Sequence, residues 1–408
     1  MQRAVPARYD QALVQSSQAP LAGDLTGLAP APPSRQWRIA GIAALAVIAT
    51  VVFVFKVSGT MPDFEVYWRA AVRASAAEPL YRPEDGHWQF KYLPGFAVLA
   101  APLGAMALPT VSGLWFGLSV FLLVSLLRLS VTLLPEQRKT TAALVTVTVV
   151  AMGKFYAREL GLGQVNLLFA VTVAGAVLAM RRHREGLAGV LIAASLLLKP
   201  YGVILLPWLV ARGRLRALGA AALGLIVVLI LPVPLYGIDG TIELHRAWWH
   251  TVVSTTAPNL VTPENVSWLA MYTRWFGEGR WPAVFTVATM ASAGGLGLWV
   301  WRTRRHVAFP EGLEAGLLLL LIPFVSPQGW DYVLLVGTPA IVLFANDLDL
   351  LPRWLAWAAL IALCAVGLAI YDVMSRPGYL WFHNMSAVAV CYLLVMGALV
   401  VLRIRRVA

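Results

Sequence analysis

Apolar runs separated by short polar breaks recur from residue 39 to the C-terminus, the periodicity expected of membrane-spanning helices. The pattern predicts spans over 39–55, 111–134, 141–153, 165–180, 186–198, 200–211, 216–236, 281–301, 310–325, 330–345, 353–372 and 385–402. That makes about twelve spans, several shorter than the roughly 20 residues of a full crossing. Short helices of this kind belong in a bundle, lining a cavity where protein or water satisfies their backbone groups. The expected fold class is an all-α polytopic membrane protein. The apolar stretch 94–108 is too short to count and reads as a re-entrant or interfacial half-helix. Residues 1–36, rich in Ala, Pro, Ser and Gly, show little periodicity and read as a disordered tail ahead of one membrane domain, 37–408. No small-residue cleavage site follows the first apolar run, so it is not a signal peptide.

Composition narrows the class. With 59% hydrophobic residues, 13% charged and a mean hydropathy of +0.73, the chain departs from soluble proteins, where about 25% of residues are charged. A net charge of +12 would point to nucleic acid in a soluble protein, but its placement argues for topology instead. Arg181/Arg182/Arg184, Arg212/Arg214/Arg216, Arg302/Arg304/Arg305 and Arg403/Arg405/Arg406 fall on one side of the predicted spans, with Arg138 and Lys139. Arg3, Arg8, Arg35 and Arg38 precede the first span. The positive-inside rule then sets both termini in the cytoplasm, within a plasma membrane. Only the 346–353 loop, with Asp347 and Asp349 against Arg353, runs against the pattern. Cys364 and Cys391 lie in apolar segments and read as small core residues. His87, His245, His250 and His383 lack metal-ligand spacing, so no metal or other cofactor is expected.

Polar residues collect at the opposite, outer ends of the spans: the 59–92 loop, the 154–166 connection, the Lys199-Pro200 turn, the long 237–280 loop, 326–330 and 375–384. In the first loop, Asp63-Phe64-Glu65-Val66-Tyr67 opens an amphipathic run, and Phe90-Lys91-Tyr92-Leu93-Pro94 closes it. The plainer role for Asp63 is to cap the following helix. Gly161-Leu162-Gly163-Gln164-Val165-Asn166 starts a span, where Gln164 and Asn166 offer hydrogen bonds suited to sugar hydroxyls, or simply cap a helix. Lys199 either snorkels or binds a phosphate, with Arg158 and Lys91 as competing cations. Ser326-Pro327-Gln328-Gly329-Trp330-Asp331-Tyr332 is a turn whose aromatics suit a membrane belt or sugar stacking. Asp331 is costly at a membrane-helix start unless it faces a polar cavity. In the long loop, 243–253 suits an amphipathic helix on the outer leaflet or a cap over a cavity. Asn265-Val266-Ser267 matches a glycosylation acceptor, a short pattern common by chance.

These motifs, in this order, resemble the GT-C glycosyltransferases, most of all the polyprenyl-phosphate-mannose-dependent enzymes of glycosyltransferase family 87. The resemblance rests on Asp63 through Tyr67, Phe90 through Pro94, Gly163 through Asn166 with Lys199-Pro200, and Ser326-Pro327 through Trp330. It implies a GT-C bundle with external loop helices. It also implies a polyprenyl-phosphate sugar as donor and a glycolipid or glycan acceptor on the extracytoplasmic face. Asp63 is then the base, with Tyr67, Lys91, Tyr92, Arg158, Gln164, Asn166, Lys199, Gln328, Trp330 and Asp331 as substrate-binding candidates. Relatives often carry histidine after the tryptophan of the Ser-Pro motif; here Asp331 follows Trp330. A glycosyl phosphate carries its own leaving group, so the protein must supply a base for the acceptor hydroxyl and a cation for the departing phosphate. Two other readings stay open: a transporter or flippase of lipid-linked saccharides, and a GT-C enzyme using another polyprenyl-phosphate sugar.

Overall fold

The computed structural model describes residues 47–48, 50–57, 61–304, 307 and 310–405. The predicted tail, most of the first span and the start of the first outer loop lie outside these residues. From Val51 onward the chain forms one unit. Among the described residues it contains no strand beyond an isolated bridge between Asn265 and Trp330, so the all-α expectation holds. The helices used below are α1 (Pro62–Ser75), α2 (Pro94–Ala100), α3 (Leu108–Thr132), α4 (Thr141–Leu162), α5 (Asn166–Arg181), α6 (Glu185–Leu198), α7 (Leu205–Ala211) and α8 (Leu215–Ile230). There follow α9 (Val233–Ser254), α10 (Trp268–Phe276), α11 (Arg280–Arg302), α12 (Pro310–Val325), α13 (Thr338–Asn346), α14 (Arg353–Gly367), α15 (Tyr371–Asn384) and α16 (Ala387–Arg405).

Three of these, α3, α11 and α16, are long and apolar enough to cross a membrane, and the number reaches six if each bent pair is one broken span. The pairs are α4 with α5 (119°), α8 with the segment 233–259 (92°), and α14 with α15 (102°). A count of twelve would require the shorter apolar helices to be spans as well. Residues 94–105 form such a short helical piece; at 1.5 Å per residue it covers about 18 Å, well under the ~30 Å hydrocarbon core. Two predicted connections are helical. Helix α4 continues past residue 153 through Lys154, Arg158 and Glu159 to Leu162, because partners described below neutralise those charges. Likewise 237–254 is helix, broken only at Gly237, where φ is 67°, and it contains the helix expected over 243–253.

The core centres on α5 and on the segment 331–346, in which nearly every side chain is buried. Small residues let α6 and α8 pack closely: a Cβ on Gly189 would lie 2.2 Å from the Ala217 carbonyl oxygen, and one on Gly224 2.5 Å from the Ala193 Cβ. Outward faces remain apolar, with Leu223, Ile226 and Val287 exposed, as lipid contact requires and water would oppose. Cys364, expected in the core, is exposed on α14, and Cys391 is half-buried.

The basic loops gather at one end. Arg138 pairs with Asp349 at 2.6 Å, and Lys139 donates to the Ala345 carbonyl at 2.7 Å. Arg212 binds Glu311 and Glu314, and Arg304 donates to the Ala211 carbonyl. The acidic 346–353 loop, at odds with the charge pattern in sequence, therefore supplies counter-charge to its basic neighbour.

Candidate active site

At the other end, four separated stretches converge on a cleft of ≈ 660 Å³. The start of α1 brings Asp63 and Tyr67, the α4–α5 turn brings Arg158 and Gln164, the end of α6 brings Lys199, and the turn after α12 brings Gln328, Trp330 and Tyr332. Lys91 and Tyr92 line it from the first loop, and Trp248 and Trp249 of α9 from the long loop.

Local structure explains the placement. Helix α1 begins with Pro62 at its first position and Met61 as N-cap, with no side-chain cap. Asp63 therefore does not cap the helix; its carboxylate is free for another partner, while still favoured by the helix N-terminus. Gly163 ends α4 in the left-handed region at φ 70°. A Cβ there would lie 2.6 Å from the Phe64 Cβ and 2.7 Å from the Met61 Cε. Glycine thus permits both the turn and the close approach of α1. Trp115 secures the junction, donating to the Gly163 carbonyl at 2.9 Å and stacking on Phe64. Within the first loop, Arg73 forks onto Asp85 at 2.5 and 2.8 Å, bracing the turn that carries His87. That bond holds the Asp85 carboxyl below its ordinary range.

Gln164 is the hub. Its Nε2 donates to Asp63 Oδ2 at 2.6 Å, while its Oε1 lies 3.0 Å from Tyr67 Oη, 3.2 Å from Tyr92 Oη and 3.4 Å from Lys199 Nζ, accepting from the lysine and from one of the two hydroxyls. Tyr67 and Tyr92 also share a hydrogen bond of 2.7 Å. Lys199 lies over the rings of Tyr92 and Tyr201. Burial raises the Asp63 pKa above its usual value, opposed first by the Gln164 bond and then by Lys199. Lys91 is shifted down by burial, with Asp63 acting against that shift. Among the lining residues Asp63 is the one carboxylate, facing the cations Lys91, Arg158 and Lys199.

Two candidates lie behind the cleft instead of lining it. Asn166 is fully buried and donates to Glu159 Oε2 at 2.7 Å, while the Leu167 amide donates to Glu159 Oε1 at 2.9 Å. Asp331, 2% exposed, meets Lys154 at 3.4 Å and Arg158 at 3.6 Å. Its burial is thus compensated by cations on α4 and not by an open cavity. Arg158 in turn stacks on Tyr332 at 5.3 Å and reaches the cleft. Trp330 lines the cleft beside Tyr332. The Ser-Pro turn is pinned to the long loop: the Val266 amide donates to the Gly329 carbonyl at 2.7 Å and the Asp331 amide to the Glu264 carbonyl at 2.9 Å. Asn265, 1% exposed, donates to the Pro327 carbonyl at 2.8 Å, so it is not an accessible glycosylation acceptor.

Sequence reasoning left His87, Tyr201, Tyr332, Trp248 and Trp249 out of the candidate set, although all line the cleft. Tyr201 had a signal, since it follows Lys199-Pro200 directly; the tryptophans had one in the 243–253 stretch, which suits a cap over a cavity. Glu159 was missed too, although a carboxylate seven positions before Asn166 within an apolar stretch asks for partners. Among the described residues no three His, Cys, Asp or Glu side chains converge as a metal site would.

Comparison with curated proteins gives no match. A sequence model of glycosyltransferase family 87 matches residues 90–327. The matched segment holds Lys91, Tyr92, Arg158, Gln164 and Lys199; Asp63 lies before it, and the Gln328–Tyr332 turn just after. As the match covers more than half of the chain and carries the centre of the cleft, this protein belongs to glycosyltransferase family 87.

Proposed function

We propose that this glycosyltransferase moves a hexose, mannose on the family resemblance, from a polyprenyl phosphate to a glycolipid or glycan at the extracytoplasmic face of the plasma membrane. It does so within a GT-C-type bundle of about twelve spans, short helices included. The observation that carries the reading is Asp63: among the described residues, the one carboxylate lining a cleft whose other charged groups are cations. A hydroxyl of the acceptor gives its proton to Asp63 as its oxygen attacks the anomeric carbon. The bond from that carbon to the phosphate oxygen breaks on the opposite face, so the configuration inverts and polyprenyl phosphate departs with the electron pair. Lys199 and Arg158 oppose the charge that grows on the phosphate. Trp330, Tyr332 and Trp248 offer faces for a sugar ring, and the exposed apolar helix faces suit a membrane-embedded donor.

The test is a membrane assay with labelled polyprenyl-phosphate mannose. Asp63→Asn preserves shape and removes the proton acceptor, so transfer is expected to fall by about 10²–10⁴-fold, as for loss of a general base. Glu65→Gln, at an exposed position on the same helix, is expected to stay near wild type. A fully active Asp63→Asn enzyme at matched protein levels rejects Asp63 as the base. Transfer from glucosyl or arabinosyl donors in place of mannosyl would reassign the sugar.

A further inference from the structure

Polar groups surround the Gln164 amide at both its oxygen and its nitrogen. Besides Asp63, Tyr67, Tyr92 and Lys199, its side chain meets the Val165 amide at 3.4 Å and Tyr332 Oη at 3.5 Å. Two of these partners leave no freedom of orientation. An ammonium only donates and so demands the carbonyl oxygen, while a carboxylate only accepts and so demands the amide nitrogen. Gln164 is buried at 6% exposure, and a flipped amide would oppose both charges at once.

Asp63 and Lys199 each touch this amide, yet they form no ion pair with each other. Opposite charges drawn together in a half-buried site attract strongly. A direct pair would occupy the carboxylate oxygen needed for the acceptor proton and the ammonium needed for the phosphate. We propose that Gln164 is a positioning residue acting as a neutral spacer, which links Asp63 and Lys199 through its amide and keeps them from collapsing into an ion pair. The inference rests on the functional reading above, and it replaces the expectation that Gln164 binds sugar. Asp63 has His87 and Lys91 as further titratable neighbours, and Lys199 has Glu159. Among the described residues only Gln164 hydrogen-bonds to both members of the pair.

The experiment uses the full chain, with Gln164→Ala to remove the amide and leave room for collapse. Lys199 reactivity is read by competitive acetylation with acetic anhydride and mass spectrometry, alongside the acid limb of kcat/KM. Collapse predicts that acetylation of Lys199 slows about tenfold, the effect of a one-unit rise in its pKa. Adding Asp63→Asn restores the reactivity. The acid limb of Gln164→Ala moves to lower pH, because a direct cation favours the ionised carboxylate. Loss of a hydrogen bond alone moves that limb upward. Unchanged acetylation, or an acid limb that stays or rises, overturns the proposal. Should Gln164→Ala not fold, Gln164→Ser carries the same measurements. If the wild type transfers no sugar from any polyprenyl-phosphate donor, the functional reading falls, and the acetylation comparison alone decides the spacer.

Discussion

Asp63 shows how a side chain's role follows from what its neighbours leave it. Capping is excluded by the helix start at Pro62, and Gln164 holds one carboxylate oxygen at 2.6 Å. Burial raises its pKa above the ordinary 3.8. A base must be ionised, so transfer is expected to fall as pH drops through this raised value. The acid limb of kcat/KM should therefore lie above that of an exposed carboxylate, which a pH–rate profile measures. Lys199 is expected to act on the other substrate. Lys199→Ala should lower donor turnover by about 10²-fold, as for loss of one preorganised electrostatic contact, while Lys199→Arg keeps part of the rate. Normal donor kinetics in Lys199→Ala would shift the phosphate role to Arg158 or Lys91.

At the level of elements, the site depends on the turn between α4 and α5. Gly163 lets the chain reverse by 119° while α1 packs against it. Gly163→Ala adds a Cβ within 2.7 Å of the Phe64 Cβ and the Met61 Cε at a backbone conformation alanine disfavours. It is expected to cost about 1–2 kcal/mol of stability, seen as a lower Tm in detergent. It should also cut kcat by tenfold or more, since displacement of catalytic groups by about 1 Å can cost 10²-fold. A wild-type rate would mean that Asp63 is positioned without this contact. Helix α4 teaches a related point. Its charged last turns look like a loop in sequence, and they remain helical because Asp331, Asn166 and the Leu167 amide meet them.

Across the whole molecule, the cleft and the basic loops occupy opposite ends, and α11 gives this a measurable form. Its 23 residues extend about 34 Å, enough to cross the ~30 Å core. Aromatics flank it at both ends, Trp275, Phe276 and Trp281 near one and Trp299 and Trp301 near the other. Single cysteines are introduced at Gly86, Gly277, Arg184 and Arg304 in a background with Cys364 and Cys391 replaced. Positions 86 and 277 are expected to react with an impermeant thiol reagent from outside, and 184 and 304 only after permeabilisation. Labelling at 184 but not at 86 would invert the orientation proposed here.

The apolar periodicity, the basic clusters and the order of the polar motifs are local properties of the chain. They were enough to determine an all-helical class, most helix positions and the family, because burial in lipid selects helices and the motifs recur in fixed order. Tertiary packing decided which motif residues meet. Gln164 and Asn166 stand two positions apart in one motif, yet the α4–α5 turn sends the first to Asp63 and the second to Glu159. Asp331 follows Trp330, but only Trp330 lines the cleft, since Lys154 and Arg158 draw the carboxylate inward. Neighbouring side chains on a turn point in different directions, and which partner each finds depends on residues in distant parts of the chain. Hydrophobic pattern carries no information about that choice; directional hydrogen bonds and the cost of burying an unpaired charge make it.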